Sequence, residues 1–314
     1  GSPEARLLSS DNITIQHCWI YDAQQAAGCT KDGILAYPAE ARQATQFKNW
    51  QVCNNVIDTC GNKAVELAEC NGGLIADNHI TNVVDGPQVI FGSRNVQIRD
   101  NIVYFTDTGI NITEGSNHIR VSGNHVEPVA GIDKAKGGGC LFFRTEPQPL
   151  TTSISDIVVT GNIFRDPTTR GRRAIRFQTR DEALYCTYQG IIISDNIIEG
   201  NAYFSDPRNP RSTALKDILF SDNICEGEIM SVSSSTMRSE NIVVRGNMLR
   251  KSGDCVLNAS HWVWTGNTHT GGTLKVAAGA AGNVIHENVT ATPVADNGTG
   301  TSLSNNSVIA KTSP

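Results

Sequence analysis

Acidic and basic side chains crowd into the middle of this chain. Arg165, Arg170, Arg172, Arg173, Arg176 and Arg180 fall within sixteen residues, with Asp166, Asp181 and Glu182 among them. Arg144 and Glu146 lie just upstream, and Glu114 lies one sequence repeat before them. Paired carboxyl groups suit cleavage of a glycosidic bond: one protonates the leaving oxygen while another activates water or attacks carbon. An eliminating enzyme needs a base for a sugar C–H proton and cations to neutralise a uronate carboxylate. Guanidinium forks bind such carboxylates at two points. Glu114, Glu146 and Asp181 are therefore the candidate acid–base groups. Arg144, Arg176, Arg180, Asn111 and Phe142 are the candidate substrate-binding residues.

The elements that position them follow from one recurring phrase, an apolar–x–apolar run, two polar residues, Asn and a second apolar pair. It reads Val96-Gln97-Ile98-Arg99-Asp100-Asn101-Ile102-Val103 and Ile119-Arg120-Val121-Ser122-Gly123-Asn124-His125-Val126. The anchor asparagines are Asn55, Asn78, Asn101, Asn124, Asn162, Asn196, Asn223, Asn247, Asn267, Asn288 and Asn306, with Cys18 in the first slot. The first three asparagine steps are 23 residues each. A fixed period of this size marks a solenoid, and alternation within it marks strands. Gly, Asp, Asn or Glu precedes the later anchors; the first three of these tolerate the left-handed backbone of a tight bend. Stacked anchors would bond one another in a ladder. A further strand follows each turn, as in Ala64–Leu67, Gly109–Ile112, Cys140–Phe143, Ala174–Phe177 and Cys255–Leu257. The expectation is an all-β, right-handed parallel β-helix of about 10–12 coils spaced ~4.8 Å apart.

This phrase, running over roughly residues 9 to 310, resembles the pectin-lyase-like superfamily of right-handed parallel β-helices, most of all phage tailspikes. The resemblance implies a polysaccharide ligand, either cleaved by hydrolysis or lysis or held by a non-catalytic adhesin or shaft. A secreted lyase or epimerase is a third reading. The Asn-Thr-Asp, Asp-Asp, Gly-His-Gly and Arg-Ile-Lys motifs of polygalacturonases are absent, as is the Asp-Pro-His-Asp of alginate epimerases. Tailspikes share the architecture without a common catalytic motif. The resemblance also implies a virion-tail or extracellular location, with folding in a host cytoplasm.

Three long steps interrupt the period: 38 residues to Asn162, 34 to Asn196 and 27 to Asn223. Insertions in solenoids map to loops on the binding face. Strand alignment puts Asn111, Phe142 and Arg176 in one outward slot of successive coils, with Glu114, Thr145 and Thr179 as the next outward row. Asp32, Asp85, Asp107 and Asp254 each precede the last strand of a coil, a recurrence that reads as turn capping. His79 and His125 share the slot after the anchor and read as a surface row. Trp262 and Trp264 fall on inward slots; Trp19 falls on an outward one, suited to an interface or a sugar.

The slot after the anchor should face outward, yet it holds Val56, Ile102, Ile163, Ile197, Ile224 and Met248. An outward apolar stripe implies burial against something, and a parallel homotrimer is expected. The formal net charge of −5 argues against a general nucleic-acid partner. No apolar run is long enough to span a membrane. Nine cysteines without a Cys-x-x-Cys pair argue for reduced thiols, with no metal and no cofactor expected. The domain division is residues 1–10 as scar and linker, 11–290 as β-helix, and 291–314 as a weak last coil and tail. Gly1-Ser2 reads as a cleavage scar, and the short lead-in reads as an excised segment.

Overall fold

A computed structural model describes residues 11–23, 32–36, 47–130, 138–145, 153–166, 173–179, 186–204, 213–231, 238–250 and 254–309. The described chain is strand, turn and bend throughout and winds into a parallel β-helix. One sheet has twelve strands, from Thr14–Gln16 to Ser302–Ser304, each paired in parallel with the next. Twelve coils at ~4.8 Å give a rod of roughly 55 Å.

Each of the first eleven coils carries three strand positions, and the last shows the first two among the described residues. The first stack precedes the anchor, as in Arg94–Arg99 and Asn117–Ser122. The second stack follows it, as in His125–Pro128 and Ile163–Arg165. The third follows the next turn, as in Lys63–Ala68, Gly139–Thr145 and Arg173–Thr179. In coils three and four the second and third positions merge into the long strands His79–Ile90 and Ile102–Thr113.

The expected asparagine ladder is complete from Asn55 to Asn306. Each Nδ2 donates to the Oδ1 of the next coil's asparagine at 2.9 to 3.1 Å. Each Oδ1 also accepts the backbone N–H of the preceding anchor, as Asn124 does from Asn101 at 3.0 Å. The amides are almost solvent-free, so every donor and acceptor must be matched within the stack. Residues before the anchors take the left-handed conformation: Asp77, Asp100, Asp195 and Asp222 at φ 55 to 58°, Gly123 and Gly161 at 67°. The ladder and the strand pairing continue through Asn306 and Val308, so the last coil is formed, although its side chains are exposed.

The interior is a column of Val, Ile, Leu and Phe. Phe143 and Phe177 stack at 4.5 Å between centroids, and Phe177 stacks on Phe204 at 5.4 Å. Trp262 and Trp264 are buried, as their inward slots require. Side chains alternate across a strand. Locking Phe143 and Phe177 inward therefore drives Phe142, Arg144 and Arg176 to the outer face of the third stack. The eight described cysteines are free thiols, and all but Cys18 are buried. Burial lifts the Cys60 and Cys70 thiols to about 11, which leaves them as small apolar fillers.

Candidate functional site

The third stack's outer face places Glu66, Gln88, Asn111, Phe142, Arg176 and Tyr203 in strict register from coil to coil. The expected Asn111–Phe142–Arg176 row is therefore present. It is not open, however: Phe142 is 4% exposed and Arg176 2%. Part of the closure comes from stacking. The Arg176 guanidinium lies 5.1 Å from the Phe142 ring centre and that of Arg144 lies 6.0 Å from it. Cations over an aromatic face are attracted by its quadrupole. Gly138 allows the ring to sit there, since a Cβ at that residue would fall 2.1 Å from Phe142 Cδ1.

The next outward row differs from the expectation. Thr113 pairs with Arg144, and Arg144 with Gln178. Alternation from inward Phe143 makes Arg144 outward and puts Thr145 one residue past that row. Thr145 and Thr179 do pair in register. Glu114 sits in the turn that closes its strand, at φ 45°, buried, its N–H donating to the Arg144 carbonyl oxygen. Glu146, Arg180 and Asp181 lie outside the described residues, as do Arg170 and Arg172.

The aspartates at the entry to the third stack divide into two kinds. Asp32 Oδ1 accepts the Lys63 N–H at 3.0 Å, and Asp254 Oδ1 accepts that of Thr273 at 3.0 Å. Asp254 also pairs with Lys275 Nζ, a contact that holds its carboxyl below the usual range. Asp166 caps Arg173 in the same way at 2.7 Å. Asp32 and Asp254 are expected caps; Asp166 is one the repeat did not single out. Asp85 is not a cap. Its Oδ1 is closed off from solvent without a hydrogen-bond partner among the described residues. Burial, then the neighbouring Asp107 carboxylate, pushes its carboxyl up to about 7; Lys63, Arg144 and a hydrogen bond from Thr108 oppose the rise.

Asp85 occupies one row with Lys63 and Thr108, so Asp107 is one coil and one residue away. The coils can approach because Gly86 has no side chain; a Cβ there would lie 2.1 Å from the Gly109 carbonyl oxygen. Thr108 Oγ1 accepts the Gly138 N–H at 3.2 Å, which leaves its own proton for Asp85. Glu66 joins the group. Lys63 Nζ is 3.1 Å from its Oε2, but burial outweighs that contact and raises its carboxyl. Asp85, held partly protonated near neutral pH beside Lys63 and Arg144, can donate and accept a proton, and Glu66 lies in the same neighbourhood with its carboxyl raised by burial. Sequence reasoning passed over Asp85 because its slot recurs as a cap. The departures that mark it, Pro87 two residues on and Thr108 in the next coil's slot, are visible only against the register.

Among the described residues no group of three His, Cys, Asp or Glu side chains is placed to hold a metal ion. No described helix is long and apolar enough to cross a membrane.

The family model for a right handed beta helix region matches residues 4–147. The chain is a right-handed parallel β-helix. That hand is the one parallel crossovers favour. No curated protein matches this β-helix in sequence. Among solved structures, an alginate lyase from Paenibacillus sp. str. FPU-7 aligns over 93% of this chain and 99% of that one, at 12% identity and a TM-score of 0.45. At that identity and score the likeness says nothing of shared chemistry.

Proposed function

We propose that this β-helix binds and cleaves an acidic polysaccharide across the outer face of its third stack. The observation that carries the reading is Asp85: a carboxyl with one bare oxygen, beside Asp107 and facing Lys63 and Arg144. A carboxyl that titrates near neutral pH serves as general acid or base. In hydrolysis the protonated member of the Asp85–Asp107 pair delivers a proton to the glycosidic oxygen and the ionised member assists water. In elimination the ionised member takes the proton next to the uronate carboxylate, the C–O bond to the departing sugar breaks, and the protonated member gives its proton to the leaving oxygen, while Arg144 and Lys63 hold that carboxylate. Arg176, Phe142 and Asn111 underlie the same face, and the part-exposed Arg144 stacked on Phe142 is left to orient the sugar; Glu114 and Glu146 remain further acid–base candidates. Incubation with acidic and neutral bacterial polysaccharides tests the reading. Chain shortening lost in Asp85→Asn supports it, and ultraviolet absorbance of an unsaturated uronate separates elimination from hydrolysis. Full activity in Asp85→Asn sinks it.

The tailspike form of this reading adds a parallel homotrimer in a virion tail. It is supported by the stripe after the anchor. Val56, Ile102, Ile197 and Met248 are 38 to 42% exposed and fall in one outward row with Ile163 and Ile224. A non-catalytic glycan-binding shaft is favoured by the closure of the Phe142–Arg176 row. Failure of the wild-type protein to cleave any glycan selects it.

A further inference from the structure

The second stack carries a different set of outward side chains at its N-terminal end. Its first outward row runs Trp19, Val56, His79, Ile102 and His125, paired in register through five coils. The residues between them and the next slot, Ile20, Ile57, Ile80, Val103 and Val126, point inward. Beside this row lie Tyr21 and Asp58, paired with each other, then Tyr104 and Glu127, also paired. In coils six to nine the first row is aliphatic, with Ile163, Ile197, Ile224 and Met248.

Exposure separates Trp19 and Tyr21 from the other described aromatic residues. Trp19 is 72% exposed and Tyr21 68%; no other described Trp, Tyr or Phe is among the exposed large apolar residues. Their rings sit 5.8 Å apart, tilted by 54°. Tyr104 lies between two imidazoles, 6.1 Å from His79 and 6.3 Å from His125. Hydrogen-bonding groups intersperse the rings. A β-bulge sets Thr81 and Asn82 against Tyr104, and the bulged Asn82, at φ 53°, donates Nδ2 to Asp58 Oδ1 at 2.9 Å. Glu127 Oε2 lies 3.1 Å from His125 Nε2 and 3.5 Å from Arg165 Nη1, and Arg165 forks onto Glu199 at 2.7 and 2.9 Å.

We infer that Trp19, Tyr21, His79, Tyr104 and His125 form a binding track for an extended polysaccharide on the second stack, separate from the Asp85 face. The ligand class rests on the polysaccharide reading above; the track itself rests on the ring geometry. Planar rings with polar rims take the apolar faces of sugar rings, while Asp58, Asn82, Glu127 and Arg165 supply hydroxyl partners. The coil rise of ~4.8 Å is close to the length of one pyranose unit, so the rings of coils one, three, four and five meet sugars along one extended chain. An aliphatic protein partner fits the Ile163–Met248 half of the row better than this one, whose members are aromatic, imidazole and polar.

The test is affinity electrophoresis of the whole chain in gels containing alginate or dextran. The variants are Trp19→Ala/Tyr21→Ala/Tyr104→Ala and, separately, Asp85→Asn. All three ring positions are exposed or half-buried, so equal melting temperatures establish that the triple variant is folded. The expected result is retardation of wild type and Asp85→Asn in alginate, with the apparent Kd weakened about tenfold or more in the triple variant. Retardation in dextran alone, lost in the triple variant, supports the track and counts against an acidic substrate. Equal retardation of triple variant and wild type, or retardation of wild type in neither gel, overturns the track. Loss of cleavage in Asp85→Asn with retardation unchanged shows that the two surfaces are independent.

Discussion

Replacing Asp85 by Asn should make the fold more stable at neutral pH while removing its proposed chemistry. The folded protein holds this carboxyl at about 7 against an ordinary 3.8, because burial and Asp107 disfavour its charge. Its folded-state affinity for a proton is therefore raised. The stability it contributes is fully present below pH 3.8, where both folded and unfolded chains hold the proton. It is lost as pH rises toward 7, because only the unfolded chain ionises without penalty. The gap between 3.8 and about 7, at ~1.4 kcal/mol for each pH unit, amounts to about 4 kcal/mol. Asn keeps the shape and cannot ionise. The stability of Asp85→Asn relative to wild type should therefore climb by about 4 kcal/mol between pH 4 and 7 and stay level above. Urea unfolding of both proteins across that range measures it, with equal m-values required for the comparison. A difference that stays constant with pH to within about 1 kcal/mol would refute the idea that Asp85 is a strained, partly protonated carboxyl. A more stable and inactive variant is the signature of a group kept for function rather than for the fold.

Four further outcomes are expected. His269 should act oppositely to Asp85. Its ring accepts the Trp264 indole N–H at 3.1 Å and burial lowers it to about 4, so stability should fall by about 3 kcal/mol as pH drops from 6.5 toward 4; unfolding titrations of His269→Gln should lack that loss. Asn101→Ala removes donations to Asn124, Ile75 and Arg99 and strands the Asn78 N–H that Asn101 accepted, a loss of about 3–4 kcal/mol. Hydrogen exchange should locate that loss in the adjacent coils, whereas Asn306→Ala at the last coil should cost far less. Ile163→Glu and Ile197→Glu should dissociate a trimer in light scattering, and a monomeric wild type at micromolar concentration removes the trimer. Glu114→Gln and Glu146→Gln should each lower cleavage by about a hundredfold if those carboxyls transfer protons, and wild-type rates in both would remove them from the mechanism.

The architecture was legible because one signal repeats. The anchor asparagines, the left-handed residue before each and the inward alternation after it all recur coil by coil, and their stacking is what the ladder records. The Asn111–Phe142–Arg176 row was legible for the same reason, since period-2 alternation from a known core residue leaves no freedom. What the repeat conceals is the exception. Asp85 shares its slot with the caps Asp32 and Asp254, and only the placement of Lys63, Arg144, Thr108 and Asp107 around it separates a strained carboxyl from a turn residue. Burial of the outward row was also hidden, because an outward slot in one strand says nothing of the guanidinium groups that fold back over it from neighbouring coils. The Glu114 row slipped by one residue at the strand end. There the alternation stops and the turn, with its left-handed Glu114, takes over.

The asparagine ladder has an electrical consequence. Every side-chain amide from Asn55 to Asn288 donates toward the next coil and accepts from the one before, without reversal. Backbone groups in a strand alternate in direction and largely cancel, but these amides add head to tail and polarise one another. The rod therefore carries a net dipole, with its carbonyl end at the first coil and its amino end at the last, the reverse of an α-helix. Side-by-side parallel packing of such rods sets like ends together, and head-to-tail stacking sets unlike ends together. The ladder that holds each coil in register thus also gives the whole rod an electrostatic direction.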